Sequence, residues 1–307
     1  MNPEFEQAGL QVFERGWLSS NSVLFAGDKD HPSVLVDSGY ASHADQTVAL
    51  VRAALGGRQL DRIVNTHLHS DHCGGNHALQ TVFDCEVLVP AAEAAKVDAW
   101  DEDALTYQAT GQNCPRFRRT GVVQADSWVS CGELKWQALG APGHDPASLV
   151  LYQPDSRLLI SADALWENGF GVVFPELEGI QAFEDVRTTL ELLASLDVRC
   201  VIPGHGTPFG HIGAALERAF RRLDSFVRDP VRHARYAAKV LVKFHILEHQ
   251  QQSIDALNSW INGTPYFETI RELYFGAEIF DVWRHGLLEE LVKGGALRVE
   301  NSMIYNV

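Results

Sequence analysis

Nowhere in these 307 residues do eighteen apolar residues run together, so no stretch has the length and apolarity of a membrane-spanning helix. Met1 to Arg15 carries Glu4, Glu6 and Glu14 and no apolar run, so no secretory leader is expected there and a soluble cytoplasmic protein is. Cysteine is sparse: Cys73, Cys85, Cys114, Cys131 and Cys200 are odd in number and contain no C-x-x-C, which argues against a disulfide framework and for reduced thiols. Cys73, beside His72, reads either as a small buried filler or as a contact of a site. Positive charge is also short, with 25 Lys and Arg against 40 Asp and Glu, a net charge of -15 that disfavours broad attraction to nucleic acid or anionic membranes. No internal repeat or low-complexity tract is visible. What remains is an ordinary globular composition, 46% hydrophobic, long enough for one large domain or a domain with an appendage.

The stretch His67-Leu68-His69-Ser70-Asp71-His72 places three imidazoles and a carboxylate just after the apolar strand Arg62-Ile63-Val64-Asn65. If the chain stays extended, His67 and His69 point to the same side and Asp71 continues that side, while His72 needs a turn. Gly74-Gly75-Asn76 supplies a permissive backbone before a helix near His77. Imidazole nitrogen and carboxylate oxygen are donors that zinc and neighbouring transition metals accept, so the motif reads as a metal site.

Strands are expected at Leu10 to Phe13, Ser22 to Ala26 and Ser33 to Val36, followed by a helix carrying Val48, Val51 and Leu55 and ended by Gly56-Gly57. Glu86 to Val89 reads as a strand and Ala91 to Val97 as a helix, whereas residues 98 to 121 read as a long loop or short helices. Three strands follow, near Val129, at Leu134 to Leu139 and at Ser148 to Tyr152, then Leu158 to Ile160, a helix over Phe183 to Leu196 and a strand Cys200 to Pro203. Beyond about residue 210 helical periodicity dominates (Ala214 to Val227, Ala234 to Glu248, Ile254 to Ile261, Phe280 to Val292), and the chain closes on a hairpin around Asn301-Ser302. Helices before a small hairpin resemble a winged-helix unit, and the division expected is 1–214 and 215–307.

One loop cannot supply every ligand for two ions. His144 in Ala141-Pro142-Gly143-His144-Asp145-Pro146, Asp163 directly after an apolar strand, and His205 in Pro203-Gly204-His205-Gly206 each sit where a strand ends. Taken singly, each also reads as an ordinary turn residue. The other eight histidines (His31, His43, His77, His211, His233, His245, His249 and His285) show no grouping and read as surface or capping residues.

With Val36-Asp37-Ser38-Gly39, H-L-H-S-D-H, A-P-G-H-D-P, S-A-D-A-L and P-G-H-G in this order, residues 10 to 215 resemble the metallo-β-lactamase superfamily of binuclear metallohydrolases. The resemblance implies an α/β fold, a four-layer αββα sandwich with metals at one edge of the sheets. It implies that His67, His69 and His144 hold one metal, that Asp71, His72 and His205 hold a second, that Asp163 bridges them, and that Asp37 orients a ligand imidazole. Two divalent ions are implied, zinc first, with iron or manganese as alternatives. The G-H-D-P-A-S run departs from the G-H-T-P-G-S of many thioesterase-like members, which puts local loop shape in doubt but not the ligand. Asp163 argues against antibiotic hydrolysis, since the true β-lactamases lack that aspartate.

The function expected is cleavage of an ester or thioester, similar to glyoxalase II, by a metal-bridging hydroxide, with Asp71 and Asp163 fixing the metals and receiving the proton. Two other classes stay open: a mononuclear-iron oxidoreductase resembling persulfide dioxygenases, and a signalling or effector protein that keeps the site. Substrate selection is assigned to Trp166, Asn168, Phe170 and Phe174, interleaved with glycines, although a core cluster would look alike. Residues 214 to 249 hold eight basic residues against four acidic ones, net +4, which makes Arg228 and Arg232 candidate contacts for an anionic small-molecule substrate; a solvated helix face is the other reading. Residues 250 to 307 hold eight acids and four bases, net -4, so the tail is a poor nucleic-acid reader. Neither nucleic acid nor membrane is expected as a partner, and a homodimer is left open.

Overall fold

Each short apolar strand divides its side chains between two different cores, and this division stacks the molecule into layers. The computed structural model describes Phe5 and residues 8–307, so the charged stretch at Glu4 and Glu6 lies outside the described residues. Strands β1 (Leu10–Phe13), β2 (Ser22–Phe25), β3 (Val34–Val36), β4 (Arg62–Val64), β5 (Glu86–Pro90) and β6 (Gly121–Val123) form one sheet in that order. A second sheet has the order β11-β10-β9-β8-β7, built from β7 (Ser127–Cys131), β8 (Leu134–Gly140), β9 (Leu149–Gln153), β10 (Leu158–Ala162) and β11 (Cys200–Pro203). Val23, Phe25, Val34, Val36 and Val64 of the first sheet meet Val129, Trp136, Leu151, Ile160 and Ile202 of the second in an inner core. The alternate residues Leu24, Leu35 and Ile63 face outward onto Val48, Val51, Leu55 and Leu79 of the helices Ala44–Leu55 and Asn76–Phe83. On the other side Val150, Leu159 and Val201 pack against Leu190 and Leu193 of helix Phe183–Ser195 and Ala215, Ala219 and Leu223 of helix Ile212–Arg228. Helix, sheet, sheet, helix is the αββα arrangement expected.

The C-terminal region has its own core. Helices Pro230–His249, Ile254–Gly263, Pro265–Phe275 and Phe280–Lys293 bury Ala237, Leu241, Ile261, Phe267, Trp283 and Leu287 together, with Val172 and Leu177 of the preceding region joining them. β13 (Leu297–Glu300) and β14 (Met303–Asn306) make the expected hairpin, and β12 (Gln251–Ser253) adds a third strand against β14. Helix Ile212–Arg228 runs through the 214/215 boundary, and its apolar face belongs to the outer core of the sandwich. The junction between the two cores therefore moves to Asp229-Pro230, where the Asp229 side chain caps the next helix by accepting from the Arg232 N–H.

Candidate metal centre

The ligand segments all follow the C-terminal ends of strands: Asp37 after β3, residues 66–73 after β4, His144 after β8, Asp163 after β10 and His205 after β11. The chain is extended through His69, whose ψ is 148°. It then turns at once into the short helix Ser70–Cys73, in which the His72 N–H donates to the His69 carbonyl at 2.9 Å. That turn corrects the expectation that Asp71 continues the side of His67 and His69. A helical turn redirects the side chains that follow, so Asp71 and His72 leave for a second group.

Two groups result, each with donor atoms lying within 4.8 Å of one another: His67, His69 and His144, and Asp71, His72, Asp163 and His205. Asp163 reaches both. Its Oδ2 is 3.4 Å from His144 Nε2, and its Oδ1 is 3.4 Å from His72 Nε2 and 3.9 Å from His205 Nε2. His205 Nε2 also lies 3.0 Å from Asp71 Oδ2. A Cβ at Gly204 would collide with Asp163 Oδ1, and one at Gly171 with His144 Nδ1, so glycine is required where the backbone closes on the ligands.

The buried hydrogen bonds set which nitrogen of each ring is free. His72 Nδ1 donates to Asp37 Oδ2 at 2.8 Å, and Asp37 is held in turn by the Thr66 N–H at 2.9 Å and the Thr66 hydroxyl at 2.7 Å. His144 Nδ1 donates to the Val172 carbonyl at 2.5 Å, leaving Nε2 to converge with His69 Nδ1 at 2.8 Å. His67 Nε2 and His72 Nε2 are buried with no hydrogen-bond partner. Buried polar atoms without partners are costly, and a cation is the partner that lone pairs of this geometry fit. Burial lowers the pKa of His67 well below its ordinary value and brings His69 and His144 to about 4, so all three are neutral donors near pH 7. Burial would also lower His72, but Asp37, Asp163 and Asp71 outweigh it and push His72 well up, so these carboxylates call for a positive charge that a bound cation would supply in place of the ring proton. Burial would raise Asp163 and Asp71; the surrounding imidazoles, His72 first, outweigh it and hold both carboxylates down.

A cleft opens over these atoms, walled by Trp17, Trp166, Phe174, Tyr236, Val240 and Phe244. Trp166 and Phe174 thus stand where a substrate would meet them, and Trp166 Nε1 donates to Asp163 Oδ1 at 3.2 Å. Phe170 instead is buried in the outer core, and Asn168 is exposed and off the cleft. Arg228 and Arg232 are exposed at the junction of their two helices and do not line the cleft either. Cys73 lies in the outer core behind the ligand turn, its thiol donating to the Leu68 carbonyl at 3.4 Å. Sequence reasoning missed Thr66, and it missed Trp17, which stacks on His205 at 5.3 Å between ring centroids. Thr66 was findable as the residue joining the strand to the first histidine, whereas no local pattern marks Trp17.

Over 118 residues the chain is 30% identical to the hydroxyacylglutathione hydrolase of Brucella ovis, a match covering 38% of this chain and 38% of that enzyme. The chain thus matches less than half the length of this curated relative. A metallo-beta-lactamase family protein from Thermus thermophilus superposes over 98% of this chain and 99% of its own with a TM-score of 0.59 at 18% identity. TTHA1623, solved in a di-iron-bound form, superposes over 68% of this chain and 98% of its own with a TM-score of 0.54 at 24% identity. At such identities both likenesses speak to fold alone. The family model described as the metallo-beta-lactamase superfamily matches residues 15–205, which hold every strand of the two sheets but β1 and every segment that carries a candidate ligand, and this chain belongs to that superfamily.

Proposed function

We propose that the chain is a binuclear metal-dependent hydrolase of ester or thioester bonds acting on a small molecule. The observation that carries this reading is the Asp163 carboxylate, one oxygen turned to the three-histidine group and the other to His72 and His205. Seven donors from four chain segments exceed what one ion accepts, which favours two ions over the mononuclear-iron alternative. When bound, a pair of divalent ions polarises a carbonyl and brings the pKa of a water towards ~7. The chain's own part is to hold and orient. His67, His69 and His144 offer neutral nitrogens, Asp37 fixes the His72 ring, and Asp71 and Asp163, held ionised by the surrounding imidazoles, offer charged oxygens to the ions. Trp17, Trp166 and Phe174 give the cleft apolar walls.

The partial match to a hydroxyacylglutathione hydrolase supports the thioester class. Zinc is the ion proposed, with iron or manganese as alternatives. The tail's order of helix, strand, helices and hairpin supports its winged-helix-like reading, but net -4 over residues 250 to 307 argues against nucleic acid as its partner. Elemental analysis of the purified protein, combined with a panel of esters, thioesters, lactones and phosphodiesters, tests the reading. Expected are two ions per chain and turnover of an ester or thioester that a chelator abolishes and added metal restores. One iron per chain at full loading, with esters and thioesters inert, would return the oxidoreductase class.

A further inference from the structure

The cleft does not end above the metal ligands. On the His205 side it passes Trp17 and Trp166 and opens into a second hollow of about 450 Å³, the two sharing Trp17, Trp166, Tyr236, Val240 and Phe244. Trp17 is 57% exposed, so this passage faces solvent rather than a closed core. Tyr236, Val240 and Phe244 recur every four residues on helix Pro230–His249, and Leu247 continues the row. The same helix turns Ala237, Ala238, Leu241 and Val242 fully into the C-terminal core, whereas Tyr236 and Val240 pack on that core from one side and, with Phe244 and Leu247, stay half-buried along the hollow. From Tyr236 to Leu247 the row runs about 16 Å at the rise of an α-helix, the reach of an alkyl chain on the order of ten carbons.

The cations at the rim are already engaged. Lys239 Nζ lies 2.9 Å from Glu290 Oε2, Arg235 Nη2 lies 2.9 Å from Glu290 Oε1, and Lys243 Nζ donates to the Ala296 carbonyl at 2.7 Å and to Asn306 Oδ1 at 2.5 Å. Lys239, Lys243 and Glu290 stand in the wall of the hollow, held in these contacts, and the rest of that wall is mostly apolar. On the other side, next to His69, a second neighbouring hollow sets Glu93, Lys96, Asp145 and Glu178 among apolar residues such as Phe174 and Ile180. A substrate whose carbonyl sits over the ligands is thus offered a mostly apolar arm and a mixed, charge-bearing arm.

We infer that the apolar arm is the binding site for a medium-length alkyl chain of the substrate, an inference that rests on the ester or thioester reading above. Its test does not need turnover. The metal-loaded full chain is titrated calorimetrically with methyl ketones of about four to about twelve carbons, non-hydrolysable analogues of the ester carbonyl. Kd is expected to fall roughly fourfold per added methylene until the arm is filled, the increment set by burying each CH₂. A Kd indifferent to chain length overturns the inference. In Leu247→Gln, and separately in Val240→Gln, the ratio of short-chain to long-chain Kd is expected to fall about tenfold, because a polar group buried against an alkyl chain loses its water; unchanged ratios in both variants count against it.

Two ester series, one lengthened on the acyl side and one on the alcohol side, then tell which half of the substrate carries the chain. If ketones bind with the expected slope while no ester or thioester is cleaved, the alkyl site stands and the hydrolase reading falls. If esters are cleaved at rates independent of chain length and the ketones bind without a slope, the hydrolase reading stands and the alkyl site falls.

Discussion

Asp163 and Asp37 show how unequal two buried carboxylates can be. Asp163 faces both donor groups, so Asp163→Asn keeps the shape but removes the charge that both ions would share. Turnover is expected to drop by at least about 100-fold with metal content falling below two per chain, while most of the hydrophobic core, lying between and outside the sheets, keeps the fold intact. Near wild-type turnover at normal metal content would take Asp163 out of the mechanism. Asp37 is buried and does not line the cleft; it accepts from His72 Nδ1 and is anchored twice by Thr66. Asp37→Asn is expected to weaken metal binding by about 10- to 100-fold, measured by competition with a chromophoric chelator, because the amide cannot serve both partners as an acceptor. Arg228→Glu with Arg232→Glu should leave KM within about twofold even at low salt, since both side chains are exposed, off the cleft and screened by solvent. A large rise in KM for an anionic substrate would restore them as contacts. These two arginines illustrate what charge counting leaves out: the net +4 is a property of the sequence, but where it points depends on which face the helices bury.

Elements were legible in the sequence where one physical signal dominated. β2 and β3 are short apolar runs, the second ended by Asp37-Ser38-Gly39, and helix Phe183–Ser195 repeats Val186, Leu190 and Leu193 on one face, so both could be read directly. The two clusters of candidate ligands were legible because their residue types and strand-end positions are rare outside metal sites. Strand β6 escaped because it is three residues long, begins with Gly121 and leaves Val122 partly exposed, so it exists by pairing with β5 and not by its own pattern. Helix Pro265–Phe275 was hidden by Gly263-Thr264-Pro265, which looks like a break; yet proline at the first helical position is a start signal, and Tyr266, Phe267 and Ile270 are its buried face. His233 was read as a surface or capping residue. The structure buries it completely, with the Val173 N–H donating to its Nε2 at 3.1 Å, so that helix Pro230–His249 holds the segment leading into the cleft. Burial first, then nearby Arg222, brings its pKa to about 3. Between pH ~6.5, where the unfolded chain takes up this proton, and pH ~3 the unfolded state binds more protons. Stability is therefore whole above pH ~6.5 and falls as pH drops, by about 1.4 kcal/mol per unit from this group. The metal-loaded His233→Gln variant, whose amide oxygen can accept the Val173 N–H, should show a shallower loss of Tm over that window than the wild type. Parallel Tm profiles for the two proteins would mean that His233 is not held neutral.

At the scale of the whole molecule the ligands are a seam. His67, His69, Asp71 and His72 leave the first sheet, His144, Asp163 and His205 leave the second, and no single sheet carries a full set for two ions. Further ties cross the same edge: the Asn21 side chain donates to the Pro203 and Gly206 carbonyls, and the Asn21 N–H to Gly204. The C-terminal region is fastened over the seam by Tyr40 donating to Glu248 at 2.9 Å and by Phe174 packing against Tyr266. Bound ions would therefore join the two sheets as well as serve chemistry, and binding that is confined to the folded state must stabilise it. An ion at about 100-fold above its Kd contributes about 2.7 kcal/mol, so chelation of the loaded protein should lower Tm by roughly 5–10 °C. Re-addition of zinc, iron or manganese should restore Tm in steps that grow with the logarithm of free metal, the recovery that begins at the lowest free concentration marking the ion the site prefers. Binding to the unfolded chain, through the contiguous His67, His69, Asp71 and His72, would reduce the effect without cancelling it, because His144, Asp163 and His205 join them only when both sheets are formed. A Tm unmoved by chelation, in protein shown by elemental analysis to have lost its metal, would mean that the seam is held by hydrogen bonds and apolar packing alone.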